Sequence, residues 1–174
     1  ADHFGGGGRN ILHLAAPEAV IDEELRVRLH AARERRPRPL RDDKVLADWN
    51  GLAVAAFARA SRAFGEPRLA TVAGRAAAFV LRALRSGDGG LLHRWRAGEA
   101  AIPGFATDYA FLAWGLHELY EATLEPAWLE SAMDLATRLV ARFVERDAGG
   151  AARMSLGPRD GEELIVPARS ASDG

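Results

Sequence analysis

The chain contains no cysteine. That excludes disulfides, thiolate catalysis and cysteine-ligated zinc. It also lacks a basic excess: 23 Lys and Arg stand against 24 Asp and Glu, giving a formal net charge of −1 and a pI of about 6.6. Phosphate-driven nucleic-acid binding needs such an excess, so no nucleic-acid partner is expected. No apolar run reaches the roughly 20 residues of a membrane span. Every apolar stretch is broken by Arg, Glu or Gly, so no membrane partner is expected either. The first residues have neither the basic nor the apolar region of a signal peptide, and a cytoplasmic location is expected. What the chain does have is 48% hydrophobic residues over a length of 174. That is one domain's worth of sequence, with enough apolar side chain for a real core.

A repeat runs through it. Asp48-Trp49-x-x-Leu52 returns 60 residues later as Asp108-Tyr109-x-x-Leu112. Glu66-Pro67 returns 59 residues later as Glu125-Pro126, and Asp88-Gly89-Gly90 returns loosely as Asp147-Ala148-Gly149-Gly150. A fixed period marks an architecture in which each unit buries its apolar face against its neighbours.

Helix signals fill the repeat. A first helix is expected over about 21–35, with Asp22, Glu23 and Glu24 in its first turn and Arg33 and Arg35 near its end. Pro37 and Pro39 stop it. A second starts between Asp43 and Asp48 and runs to Phe64. Its middle, Leu52 to Ala58, is apolar all the way round, the mark of a helix buried on every side. A third, from Pro67 to about Arg85, is amphipathic, with Arg68, Arg75 and Arg82 on one solvated stripe. The pattern then recurs: an apolar helix over about 105–122, and an amphipathic one over about 126–144 with Glu130, Asp134, Arg138 and Arg142 at four-residue steps. Short extended excursions are expected at Leu91 to Arg96, Ala151 to Leu156 and Leu164 to Val166. Hairpin one thus covers about 44–85 and hairpin two about 105–145. Alternating inner and outer helices predict an all-α fold of antiparallel hairpins from part of an (α/α)6 toroid, with an open solenoid as the alternative. Two hairpins do not close a ring, so residues 1–174 are expected to be a single partial toroid domain. An open flank should then lead the chain to dimerise or aggregate.

The most specific string is Arg36-Pro37 followed by Asp42-Asp43-Lys44-Val45-Leu46-Ala47-Asp48-Trp49-Asn50-Gly51-Leu52. It resembles the helical region of the spermatogenesis-associated protein 20 family. Gly8 to His13, Pro103-Gly104-Phe105 leading to Asp108-Tyr109-Ala110, and Ile165-Val166 to Asp173-Gly174 extend the resemblance over essentially the whole chain. The resemblance implies large proteins with a thioredoxin-like domain followed by a six-hairpin toroid, similar to those of six-hairpin glycosidases and N-acylglucosamine 2-epimerases. Three departures stand out. The thioredoxin-like domain is absent, the chain stops before the family's Pro-Ser-Gly-Asn segment, and Thr107 occupies a position that is commonly acidic. The first two imply a fragment, expected to be inactive alone. The third removes a candidate carboxylate.

In such toroids the pocket lies over the N-termini of the inner helices. Asp48-Trp49-Asn50 and Asp108-Tyr109 fall there. Aromatic faces suit pyranose rings, and carboxylates and amides suit hydroxyls. Asp108 and Asp48 are therefore the candidate acid/base residues, and Trp49, Asn50 and Tyr109 the candidate sugar-binding ones. His93 and Arg96, on the first excursion, join the substrate-binding set, since a His-Arg pair suits proton transfer or an anionic sugar. Structural roles compete for each. An Asp at a helix start is commonly a cap, and aromatics heading a buried helix commonly belong to the core. His93 and Arg96 would equally suit an exposed loop edge, and Asp42-Asp43-Lys44 an ion-paired cap. His117 is expected to be a core or inter-helix histidine. His3, His13 and His30 show no metal spacing, and no metal or cofactor is expected. Three functions remain open: a glycosidase- or epimerase-type enzyme on a sugar-like ligand, an enzyme of the same fold with another substrate, and a non-catalytic scaffold serving a redox or protein-quality role with the thioredoxin-like domain. In each, the rest of a parent chain is the expected partner.

Overall fold

The computed structural model describes residues 22–157. Gly5 to Gly8, Ile11 to Leu14, the extended piece expected at Leu164 to Val166, and the terminal parts of the resemblance lie outside the described residues. The chain divides into two units, Ala1–Asp42 and Asp43–Gly174. The first unit contributes helix α1, Glu23–Glu34. Asp22 caps it by accepting the Glu24 amide at 3.0 Å, and Glu23 pairs with Arg26. The expected sequence signals operate as described, although α1 buries none of its residues.

The second unit is built on two helical hairpins: α2 (Ala47–Phe64) with α3 (Pro67–Ala83), and α4 (Ala106–Thr123) with α5 (Pro126–Phe143). Pro67 and Pro126 each occupy the first turn of the outer helix, where a missing N–H costs nothing. The turns are equivalent in the two hairpins. Gly65 ends α2 at φ 65°, and Leu124 ends α4 in the same left-handed conformation at φ 56°. Only the first hairpin has the residue that this geometry favours.

The inner helices α2 and α4 lie side by side and parallel. Pairs at the repeat offset connect them: the Asp48 amide to Asp108 at one end, Arg59 to Glu118 and Arg62 to Glu121 toward the other. They touch at glycine. A Cβ on Gly51 would lie 2.5 Å from the Leu112 nitrogen, and one on Gly115 would strike the Gly51 carbonyl oxygen. The backbones are too close there for any side chain. Leu112, Leu116 and Leu119 of α4, Val54 and Ala58 of α2, Val80 of α3 and Leu135 of α5 complete the core.

Two findings differ from the sequence expectation. The inner helix α2 is not buried on every side in this unit. Trp49, Leu52, Phe57 and Phe64 are exposed on one apolar face, because among the described residues α3 and α4 are the helices that pack along its length. The excursion after Gly90 is also a full hairpin rather than a single extended piece. Strand β1 (Val45–Leu46) pairs with β2 (Leu92–Arg96), and β2 pairs with β3 (Glu99–Pro103), all antiparallel. Ala97 and Gly98 form its two-residue turn, both at positive φ, 50° and 88°, as a tight twisted hairpin requires. The second excursion makes a matching pair, β4 (Val144–Arg146) with β5 (Ala152–Met154). In both repeats an aspartate holds the turn: Asp88 accepts the Gly90 amide, and Asp147 accepts those of Gly149 and Ala151.

The charged rows on the outer helices divide. Arg68, Arg75 and Arg82 are exposed, as expected of a solvated stripe. The row on α5 instead ties the hairpins together. Asp134 pairs with Arg85 and Arg138, both at 2.9 Å, and Arg138 also donates to the Asp88 carbonyl at 3.2 Å.

Candidate functional site

The N-termini of α2 and α4 meet at Asp108. This residue sits at the third position of α4 and is fully buried, with 0% of its surface exposed. Its Oδ2 accepts the amide of Phe105, the residue that caps α4, at 2.7 Å. Phenylalanine has no acceptor to return, so only the acidic half of a capping box is made. Its Oδ1 accepts the amide of Asp48, in the first turn of α2, at 3.0 Å. The carboxylate thus satisfies amides at two helix starts, groups that have no partner within their own helices, and the two positive helix ends favour its charge.

His93 completes the arrangement. It lies on β2, and its Nδ1 is 3.0 Å from each Asp108 oxygen. The register of β2 between β1 and β3 sets it there, and the Phe105 ring packs edge-on against the imidazole at 5.1 Å. Nε2 has no hydrogen-bond partner among the described residues, and the side chain is 21% exposed. Asp48 stands alongside, half-buried. One of its oxygens accepts the neighbouring Trp49 amide at 2.7 Å. Ligand-capable atoms of Asp48, His93 and Asp108 all lie within 4.8 Å of one another. Burial pushes the Asp108 carboxyl above its usual range; the bonds from His93 and the Phe105 amide oppose that, and the charge of Asp48 adds to it.

The other expected site residues go elsewhere. Tyr109 is 1% exposed and belongs to the core. Its hydroxyl accepts the Leu91 amide at 2.7 Å and an Arg142 N–H at 3.3 Å, and its ring packs on Phe143. Asn50 donates its side-chain amide to the Leu46 carbonyl at 2.8 Å, tying the start of α2 to β1. Trp49 is 68% exposed, on the bare apolar face of α2. Arg96 pairs with Asp43 at 2.7 Å, so Asp43 braces the sheet rather than capping α2. Asp48 is not the cap of α2 either. Leu46 holds that place without a side-chain bond. His117, expected in the core or between helices, is exposed on α4.

Sequence reasoning missed a second buried carboxylate, Glu118. It receives Arg59 at 3.2 Å, Arg62, and the Trp114 indole N–H at 3.1 Å. The signal was present: Arg59 and Glu118 are separated by the repeat offset. The open groove lined by Arg62, Thr71, Gly74, Thr123 and Trp128 lies at this other end of the inner helices. At about 1.5 Å per residue, the helix separates that groove from Asp48 by roughly 20 Å.

No protein-family model matches the chain. Spermatogenesis-associated protein 20 of Rattus norvegicus is 38% identical over 153 residues, covering 83% of this chain and 19% of its own length. The Homo sapiens protein of the same name is 36% identical over 135 residues, covering 71% of this chain and 17% of its own. An uncharacterised Caenorhabditis elegans protein is 32% identical over 124 residues, covering 66% of this chain and 17% of its own. The chain therefore spans about a fifth of the length of the curated relatives it matches. By this similarity the chain is homologous to a segment of the spermatogenesis-associated protein 20 family.

Proposed function

We propose that the helix ends around Asp108 form the proton-handling corner of a pocket for a sugar-like small molecule, within a larger toroid of helical hairpins. One observation carries this reading. A buried carboxylate, a partly exposed histidine and a second carboxylate converge from two repeat-related helix starts and a strand. Burial of the central group and exposure of the flanking ones suit a division between support and chemistry. Asp48 and His93 face the ligand in this reading, and Asp108 orders them. A glycosidase needs two carboxylates at a set separation, with the acid reaching the leaving group. The burial of Asp108 disfavours that role and favours an isomerase or epimerase, in which a base removes a proton next to a carbonyl.

The test is direct. The chain is incubated with reducing sugars and N-acyl hexosamines in heavy water, and the C2 proton is followed by NMR alongside the amide shifts of the protein. Shifts confined to Asp48, His93 and their neighbours, abolished in His93→Ala, support the reading. Proton loss at C2 would add the epimerase chemistry. Absence of any shift at millimolar sugar, in this chain and in the full-length relative, would remove it.

A second reading has its own support. The bare apolar face of α2, with Trp49, Leu52, Phe57 and Phe64 exposed, fits a segment that is packed against more protein. A non-catalytic scaffold holding a thioredoxin-like domain would use it so. Titration with that domain from a full-length relative would then shift the α2 resonances and leave His93 unmoved.

A further inference from the structure

We propose that Asp108 is a positioning residue that fixes the His93 ring as the Nδ1–H tautomer and leaves Nε2 as the proton acceptor of the site. The inference rests on the proton-transfer reading above and names the atom that performs it.

The heavy-atom geometry points to one tautomer. Nδ1 lies 3.0 Å from both oxygens of Asp108, an even fork. An N–H shared between two carboxylate oxygens gives that geometry. A carboxylic O–H pointing at a bare Nδ1 would belong to one oxygen and break the symmetry. Each oxygen also accepts a backbone amide, from Asp48 and from Phe105. Neither therefore has the surroundings of a proton donor. In the neutral ring with Nδ1 protonated, Nε2 carries the lone pair. It has no partner among the described residues, on a ring that is 21% exposed. Phe105 packs edge-on against the ring, and the pairing of Leu92 and Arg94 with β3 holds the backbone on either side of His93.

The step is simple to balance. Nε2 takes a proton from a substrate C–H or O–H, and the bonding pair stays on the substrate. The imidazolium that forms keeps its Nδ1–H on Asp108, whose buried charge stabilises it. The proton then returns to substrate or passes to water. Asp48, alongside with its second oxygen unpartnered among the described residues, is placed to relay it. The same geometry argues against a metal between His93 and Asp108, because the proton occupies the nitrogen that faces both Asp108 oxygens.

Long-range proton–nitrogen NMR of the full chain with 15N-labelled histidine reads the tautomer directly. His93→Gln assigns the signal among the five histidines. The expected result is a protonated Nδ1 and an unprotonated Nε2 at His93, while exposed His30 and His117 show the ordinary mixture. Asp108→Asn should lose the Nδ1–H signal at His93, because an amide presents the wrong partner. Asp48→Asn should leave it in place. A wild-type His93 protonated at Nε2 overturns the proposal, and so does an Nδ1–H that survives Asp108→Asn. The wild-type spectrum decides even if Asp108→Asn fails to fold. Zinc sulfate added in stoichiometric amount should leave the Nδ1–H signal intact, and its displacement would overturn the assignment in favour of a metal site. If the tautomer is found but no sugar binds, only the substrate reading fails.

Discussion

Replacing Gly115 with alanine tests the contact on which the two repeats join. A Cβ there would strike the Gly51 carbonyl oxygen and lie 3.2 Å from both the Gly51 carbonyl carbon and the Val54 Cβ. Two of those atoms are backbone, so relief requires α2 and α4 to move apart. Overpacking of this kind costs about 1–3 kcal/mol. Alanine offsets it by up to about 1 kcal/mol through its higher helix propensity. A net loss of about 1–2 kcal/mol is expected, or roughly 2–8 °C in Tm for a chain of this size. Gly74 on α3 supplies the matched control. Its added Cβ meets only the Trp128 ring, at an ordinary 3.7 Å. Gly74→Ala should therefore stabilise by about 0.5–1 kcal/mol, since propensity acts without a clash. Urea denaturation followed by far-UV circular dichroism reads both, with the midpoint moving at constant slope. A neutral or stabilising Gly115→Ala would refute the close approach of the helices.

Three further predictions follow from single positions. Leu124→Gly should stabilise by about 0.5–1 kcal/mol in the same assay, because it removes the left-handed strain of a leucine at φ 56° whose side chain is 73% exposed and buries little. Glu118→Gln should cost about 1–3 kcal/mol, since it strands the Arg59 and Arg62 charges around a buried carboxylate site; the cost should shrink in high salt, because both arginines reach solvent. The third concerns pH. Burial raises the Asp108 carboxyl above its ordinary value of 3.8, so the folded state holds this proton more tightly than the unfolded one. Its contribution to stability is then greatest below about pH 3.8 and declines as pH rises through the folded value. The difference between wild-type and Asp108→Asn stability curves should show that decline, and a difference that rises with pH would contradict it.

Much of the fold is legible in the sequence because the repeat is written in helix punctuation. Gly65-Glu66-Pro67 and Glu125-Pro126 mark the hairpin turns, and the apolar and amphipathic patterns distinguish inner from outer helices to within a few residues. Strand β3 was not legible. Its turn is Ala97-Gly98, and an alanine at positive φ does not announce a tight hairpin as Asn-Gly or Asp-Gly would. The bare face of α2 agrees with the open flank expected of two hairpins, but the apolar pattern of the helix, which reads as burial on every side, does not say which face lacks a neighbour. At the candidate site, residue type alone points to Asp48, His93 and Asp108, but their association is not readable from the sequence. His93 reaches Asp108 only through the register of a strand whose partner was unseen. The same logic points to Tyr109 and Asn50, which instead hold the core and the start of α2. Position near a helix start therefore identified the region without separating side chains that build it from those that face outward.

Asp108 holds two helix starts together, and native-state hydrogen exchange tests that claim most directly. The amides of Asp48 and Phe105 belong to helix ends, where N–H groups normally lack partners and exchange fast. Here both donate to Asp108. They should be protected to the level of the interior of α2, and both should lose that protection in Asp108→Ala while the amides of α5 keep theirs. Exchange of the two amides at the rate of open helix ends in the wild-type chain would contradict the account.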